Sequence, residues 1–119
     1  MTALAPTDLL AAERAELRDR IEAMREELKA MQQSRVDSNS DDEHDPEGST
    51  VAFERAQVES LLDNATEHLA EIDAAAERHA AGRYGICERC EGRIAVPRLK
   101  ALPSTRYCID CAAHLERTA

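Results

Sequence analysis

Cys87-Glu88-Arg89-Cys90 and Cys108-Ile109-Asp110-Cys111 decide how this chain folds. The two Cys-x-x-Cys pairs stand 17 residues apart and hold all four cysteines of the 119-residue sequence. Each pair can wrap one side of a metal ion in a tight turn. Together they offer four thiolates, the tetrahedral donor set of structural Zn(II), at a spacing inside the zinc range. Cys87, Cys90, Cys108 and Cys111 are therefore the expected ligands, and structural Zn(II) is the expected cofactor. Iron in a rubredoxin-like site is the alternative. A thioredoxin-type redox centre needs one such pair in a βαβ setting, which this sequence does not offer. Four sulfurs fill the shell and leave no open position for catalysis, so the chain does not read as an enzyme. His114, three residues after Cys111, could compete as a ligand, but four thiolates already suffice.

Outward from the cysteines the charge changes sign. Residues 83–119 carry 7 basic and 4 acidic side chains, a net of +3, while residues 1–82 carry 8 and 20, a net of −12. The chain reads as two parts, 1–82 and 83–119, with Gly82 between them. A four-thiolate shell with one Zn(II) is worth −2, and Arg83, Arg89, Arg93, Arg98, Lys100 and Arg106 are placed to offset it. The apolar residues of this part are few, so it should not fold without its metal. The stretch from Cys111 to Arg117 reads as a short terminal helix.

The first part carries two stripes at heptad spacing. Leu10, Leu17, Ile21, Met24, Leu28 and Met31 form the first, with Arg14 in the missing position. Val51, Val58, Leu62, Ala65, Leu69, Ile72, Ala76 and His79 form the second. Stripes this narrow suit helix-on-helix packing. Thr7 or Asp8 should cap the first helix, Asp45-Pro46-Glu47 should open the second, and Gly82 should stop it. Helices of about 27 and 36 residues would be roughly 40 and 54 Å long. A short connection folds them back as an antiparallel hairpin; an ordinary bundle or a coiled-coil dimer are the alternatives. The fold class is thus mainly α: a long antiparallel coiled-coil hairpin, then a small four-cysteine module with a short C-terminal helix.

Between the stripes, within a connecting loop at about 35–48, Asp37 to Glu47 reads DSNSDDEHDPE, with six acidic residues and no basic one. Composition alone makes it a solvated turn. A second reading is a carboxylate tip on a stiff rod, suited to a positively lined channel or a hard cation. His44 in this run is a weak ligand candidate.

Composition excludes several classes. Only 3% of residues are aromatic, with no Trp and one Phe, which argues against a deep aromatic-lined pocket. The formal net charge of −9 disfavours direct binding to DNA or anionic lipid. No apolar run approaches the roughly 18 residues of a membrane span. Met1 to Leu10 lacks the basic-then-apolar order of a signal peptide, so the expected compartment is the cytoplasm.

The residues Tyr84-Gly85-Ile86-Cys87-Glu88-x-Cys90, Ile94, Arg98-Leu99-x-Ala101-x-Pro103 and Tyr107-Cys108-Ile109-x-Cys111 resemble the DksA/TraR family zinc finger. The acidic-tipped hairpin extends the likeness to almost the whole chain. The resemblance implies a bacterial transcription regulator that binds RNA polymerase directly and inserts the hairpin into the secondary channel. It implies that Asp42 and Asp45 are the two aspartates of the family's Asp-x-x-Asp-x-Ala tip, with Glu47 where Ala is usual and Asp41 and Glu43 beside them. Some members act with guanosine tetraphosphate, which makes that alarmone a candidate ligand at a shared interface. Glu91-Gly92 follows Cys90 where the family usually has Gly directly. The rival function is a coiled-coil adaptor with a zinc knob that binds some other protein.

Overall fold

The structure, a computed structural model, describes residues 4–37 and 46–118; the side chains of 34–37 and 46–49 lie outside that description. Its helices in chain order are α1 (Pro6–Asp37), α2 (Pro46–Ala80), α3 (Val96–Ala101) and α4 (Ile109–Thr118). The architecture is mainly helical: a long hairpin of α1 and α2, then a four-cysteine module closed by α4.

α1 starts earlier than its apolar stripe. Pro6 is its first residue, and the Ala5 carbonyl accepts the N–H groups of Asp8 and Leu9 at 3.0 and 3.1 Å. Thr7 and Asp8, expected as caps, therefore lie inside the first turn. Proline is suited to that first position because its missing N–H would find no partner there. Asp8 still helps, as an acid at the positive end of the helix. α2 opens at Pro46, as expected, and ends in a Schellman turn. Gly82, at φ 74, donates to the His79 carbonyl at 3.0 Å, and Arg83 donates to the Arg78 carbonyl at 2.8 Å. Only glycine takes that left-handed conformation without strain.

The chain divides into two compact units, Met1–Glu16 with Leu69–Ala119, and Leu17–His68. In the second, Leu17, Ile21, Met24 and Ala65 are buried, and Leu28, Met31, Val58 and Leu62 are half-buried. In the first, Leu10, Ile72 and Ala75 are buried. Arg14 fills the gap in the stripe by reaching Asp73, with Nε 2.7 Å from Oδ1. Both side chains remain more than one-third exposed, so this pair contributes at most about 1 kcal/mol. Two stripe assignments fail. Val51 is 45% exposed, and His79 is exposed, its ring edge-on to Tyr84 at 5.9 Å. Ala75, outside the expected stripe, is fully buried instead.

Beyond Gly82 the backbone is nearly all turn. Ile86 and Arg93 form an isolated antiparallel bridge. α3 was not anticipated from the sequence; Pro97 sits at its start, and it delivers Leu99 to a small core of Cys87, Ile94, Leu99 and Cys111. Tyr84, Tyr107 and Cys108 pack around that core. Val96, Leu102 and Ile109 stay more than half exposed. A core this small cannot hold such a segment by burial alone, and the remainder falls to the cysteines.

Candidate metal centre

The first cysteine pair sits in a loop pinned at both ends. Ile94 donates to the Gly85 carbonyl and Cys87 to the Gly92 carbonyl, each at 2.8 Å, and Glu91 donates back to the Cys87 carbonyl at 2.9 Å. The turn needs left-handed backbone at Gly85, φ 83, and at Glu91, φ 63. Glu91 thus occupies by strain a conformation that glycine takes freely. The next residue leaves little room: a Cβ on Gly92 would lie 3.3 Å from Cys90 Sγ. Its N–H points at the same sulfur, 3.4 Å away.

The second pair is set by α4. Cys108 precedes the helix, Cys111 lies in its first turn, and the Ala112 N–H donates to the Cys108 carbonyl at 2.9 Å. The Glu88 N–H donates to the Arg106 carbonyl at 2.9 Å and ties one pair to the other.

All four sulfurs lie within 4.8 Å of one another, and those of Cys90 and Cys108 are 3.9 Å apart. Metal–sulfur bonds of about 2.3 Å in a tetrahedron need sulfurs about 3.8 Å apart. The donor set therefore fits a tetrahedral thiophilic ion, and the four expected ligands converge. Cys87 and Cys111 are buried, Cys108 is half-buried and Cys90 is exposed. Burial pushes the Cys87 thiol up, but the backbone N–H groups of Cys90, Cys108 and Arg89 outweigh it and bring it down to about 6. At Cys111 the Arg89 guanidinium pulls down, while burial and the thiols of Cys108, Cys87 and Cys90 push up, to about 11. A backbone that already favours one thiolate is prepared to surrender protons to a metal.

The surrounding cations divide differently from expectation. Arg89 reaches a ligand, its Nη1 3.5 Å from Cys111 Sγ. Arg98 instead donates to the Tyr107 carbonyl at 2.9 Å. Arg83, Arg93 and Lys100 are exposed. Arg106 turns to carboxylates: Nε is 2.7 Å from Glu71 Oε2 on α2, and Nη1 is 3.2 Å from Glu88 Oε2. Those hydrogen bonds keep Arg106 charged and hold Glu71 below the usual carboxylate range. Glu71's contribution is thus present above its ordinary value and fades as pH falls through its lowered one. Arg78, also on α2, donates to the Ser104 and Thr105 carbonyls at 3.3 and 3.4 Å. The Tyr84 hydroxyl donates to the Pro103 carbonyl at 2.8 Å. Sequence reading missed Glu71, Arg78 and Glu88 in this clamp; isolated charges among many carry no signal of their partners.

His114 is exposed on α4 and is not among the converging donors. Asp41, Asp42, Glu43, His44 and Asp45 lie outside the described residues. Glu47 is in the first turn of α2, its side chain outside the description. Among the described residues, no helix is long and apolar enough to cross a membrane.

Comparison with known proteins agrees with this geometry. Residues 82–117 match the family described as the prokaryotic dksA/traR C4-type zinc finger. An uncharacterized protein of Aquifex aeolicus (strain VF5) is 52% identical over 64 residues, 50% of this chain and 44% of that protein. General stress protein 16O of Bacillus subtilis (strain 168) is 29% identical over 79 residues, 66% of this chain and 48% of that protein. The chain spans about half the length of the curated relatives it matches. Among solved structures, transcription factor DksA2 from Pseudomonas aeruginosa aligns with a TM-score of 0.77 at 29% identity. That alignment covers 93% of this chain and 80% of the other.

Proposed function

Because the chain belongs to the DksA/TraR C4-type zinc-finger family, a family of non-enzymatic transcription factors, we propose that it regulates transcription by binding bacterial RNA polymerase directly. The hairpin, residues 1–82, is the part that enters the secondary channel. The module at 83–119 holds Zn(II) on Cys87, Cys90, Cys108 and Cys111 as a structural ion. When bound, the metal supplies cross-linking of two turns and no chemistry on a substrate. Asp42 and Asp45 make the working contacts at the tip, with Asp41, Glu43 and Glu47 as the acidic surround. Guanosine tetraphosphate acts as a co-ligand at the interface with the polymerase. The protein works in the cytoplasm, where that enzyme is.

The observation that carries this reading is the likeness to DksA2 over 93% of the chain, which takes in the helices as well as the cysteine module. Charge supports it. A chain of net −9 is unsuited to free DNA, while a run with six carboxylates suits a positively lined pore. Attraction of that kind speeds encounter and weakens with salt.

The test is a titration of the zinc-loaded protein against core RNA polymerase, with and without a known secondary-channel binder. Saturable binding displaced by the competitor is expected. Asp42→Asn with Asp45→Asn should abolish regulation with the helices and the metal retained. Binding that the competitor leaves untouched would remove the channel mechanism. No binding at micromolar concentration and low salt would hand the function to the adaptor reading.

A further inference from the structure

The sequence contains one phenylalanine, Phe53, and the fold leaves it 71% exposed. It lies in the unit Leu17–His68, seven residues into α2, roughly 10 Å along the axis from the start of that helix. It is not isolated. At 100° per residue, Gln57, Ser60, Leu61 and Asn64 fall within about 80° of it on the same side of the helix. All four are exposed, and Leu61 is 53% so. The seam position is taken by the next residue, half-buried Leu62, so Leu61 is not a frayed part of the seam. Between Phe53 and Leu61 no charge falls on this side of the helix, although 33% of the chain is charged; beyond Leu61, Asp63 and Glu67 lie about 80° and 40° from Phe53. The surrounding charge is nearly all acidic: residues 50–68 hold Glu54, Glu59, Asp63 and Glu67 against Arg55 alone, and Arg55 is paired with Glu59 at 3.1 Å.

We propose that Phe53 and Leu61 form an apolar anchor on α2 that docks into an apolar, basic-rimmed pocket on the polymerase wall the hairpin passes. The inference rests on the polymerase reading and adds a second contact to it, behind the acidic tip. Aromatic side chains, Phe included, are enriched at the cores of protein interfaces, where a few anchors carry most of the binding energy. The acidic margin selects the partner's chemistry, because it needs a cationic rim opposite. The same margin acts against a second copy of this chain, since two acidic α2 faces would meet, and against nucleic acid and anionic lipid. Two such side chains, eight residues apart and about 80° around the helix from each other, set orientation along the groove. The tip alone, as a cluster of like charges, sets attraction without register.

Competition binding to core polymerase tests this with zinc-loaded Phe53→Ala, Phe53→Leu and Leu61→Ala beside the wild-type chain. Both residues are exposed, so thermal midpoints and helix content should match wild type. Phe53→Ala should raise Kd about tenfold or more and Leu61→Ala by less, with Phe53→Leu recovering most of the loss. The salt dependence of binding should keep its slope in these variants, whereas Asp42→Asn with Asp45→Asn should flatten it. A wild-type chain that binds while Phe53→Ala binds equally well overturns the anchor and leaves the polymerase reading standing. A wild-type chain that does not bind removes both. A wild-type dimer in sedimentation that Phe53→Ala dissolves would assign the patch to a second copy and overturn the proposal.

Discussion

The helical seam and the cysteine module solve the same problem with opposite economies. The seam spreads its stability over many small contributions, from Leu10 and Leu17 on α1 to Ala65 and Ile72 on α2. The module concentrates it in four sulfurs and a core of a few side chains. A distributed design degrades by degrees, because each buried side chain is worth a few kcal/mol. A concentrated one fails at once, because structural zinc binding is worth on the order of 10–16 kcal/mol at neutral pH.

The largest effect should come from removing one ligand. Cys87→Ser, or a strong chelator on the wild type, should unfold residues 83–118 while most of the helical signal survives. Circular dichroism for the helices and amide exchange for the module read the two separately. Loss of both together would show that the seam depends on the metal and would break the contrast. Next is Ile72→Ala, at a fully buried position. Its expected cost is about 2–5 kcal/mol, measured by denaturant unfolding, with zinc retention against a chelator unchanged. The smallest effect, and the one of opposite sign, is Glu91→Gly. Relief of the left-handed backbone at φ 63 should stabilise the module by about 0.5–1 kcal/mol and slow metal release. Glu91→Ala keeps the strain and should show no gain; a gain there would mean that charge, not backbone, limits this turn.

The same contrast governs what could be read from the sequence. The convergence of the four cysteines was legible because a spacing of this kind is dictated by a coordination shell. The central seam positions were legible because large aliphatic residues mark a face. The ends of α2 were not. A straight helix drifts about 20° per heptad from a strict seven-residue repeat, so counting back three heptads from Ile72 reaches Val51 on an exposed side. At the other end His79 turns to Tyr84, a contact that depends on where the module lies. Ala75 was overlooked because a single methyl barely distinguishes a buried position from an exposed one. Within the module, Glu91 shows why a departure from a family pattern is tolerated: the turn accepts a strained residue because the hydrogen bonds around it hold the backbone in place.

The unit that joins Met1–Glu16 to Leu69–Ala119 also imposes a schedule on the newborn chain. The segment Leu17–His68 forms a compact unit by itself and can close while translation continues. Arg14 leaves the ribosome first but waits for Asp73, and the sulfur shell waits for Cys111. At 5–20 residues per second Cys111 follows residue 69 by roughly 2–8 s. The sulfur shell therefore cannot close before the chain has been read to Cys111.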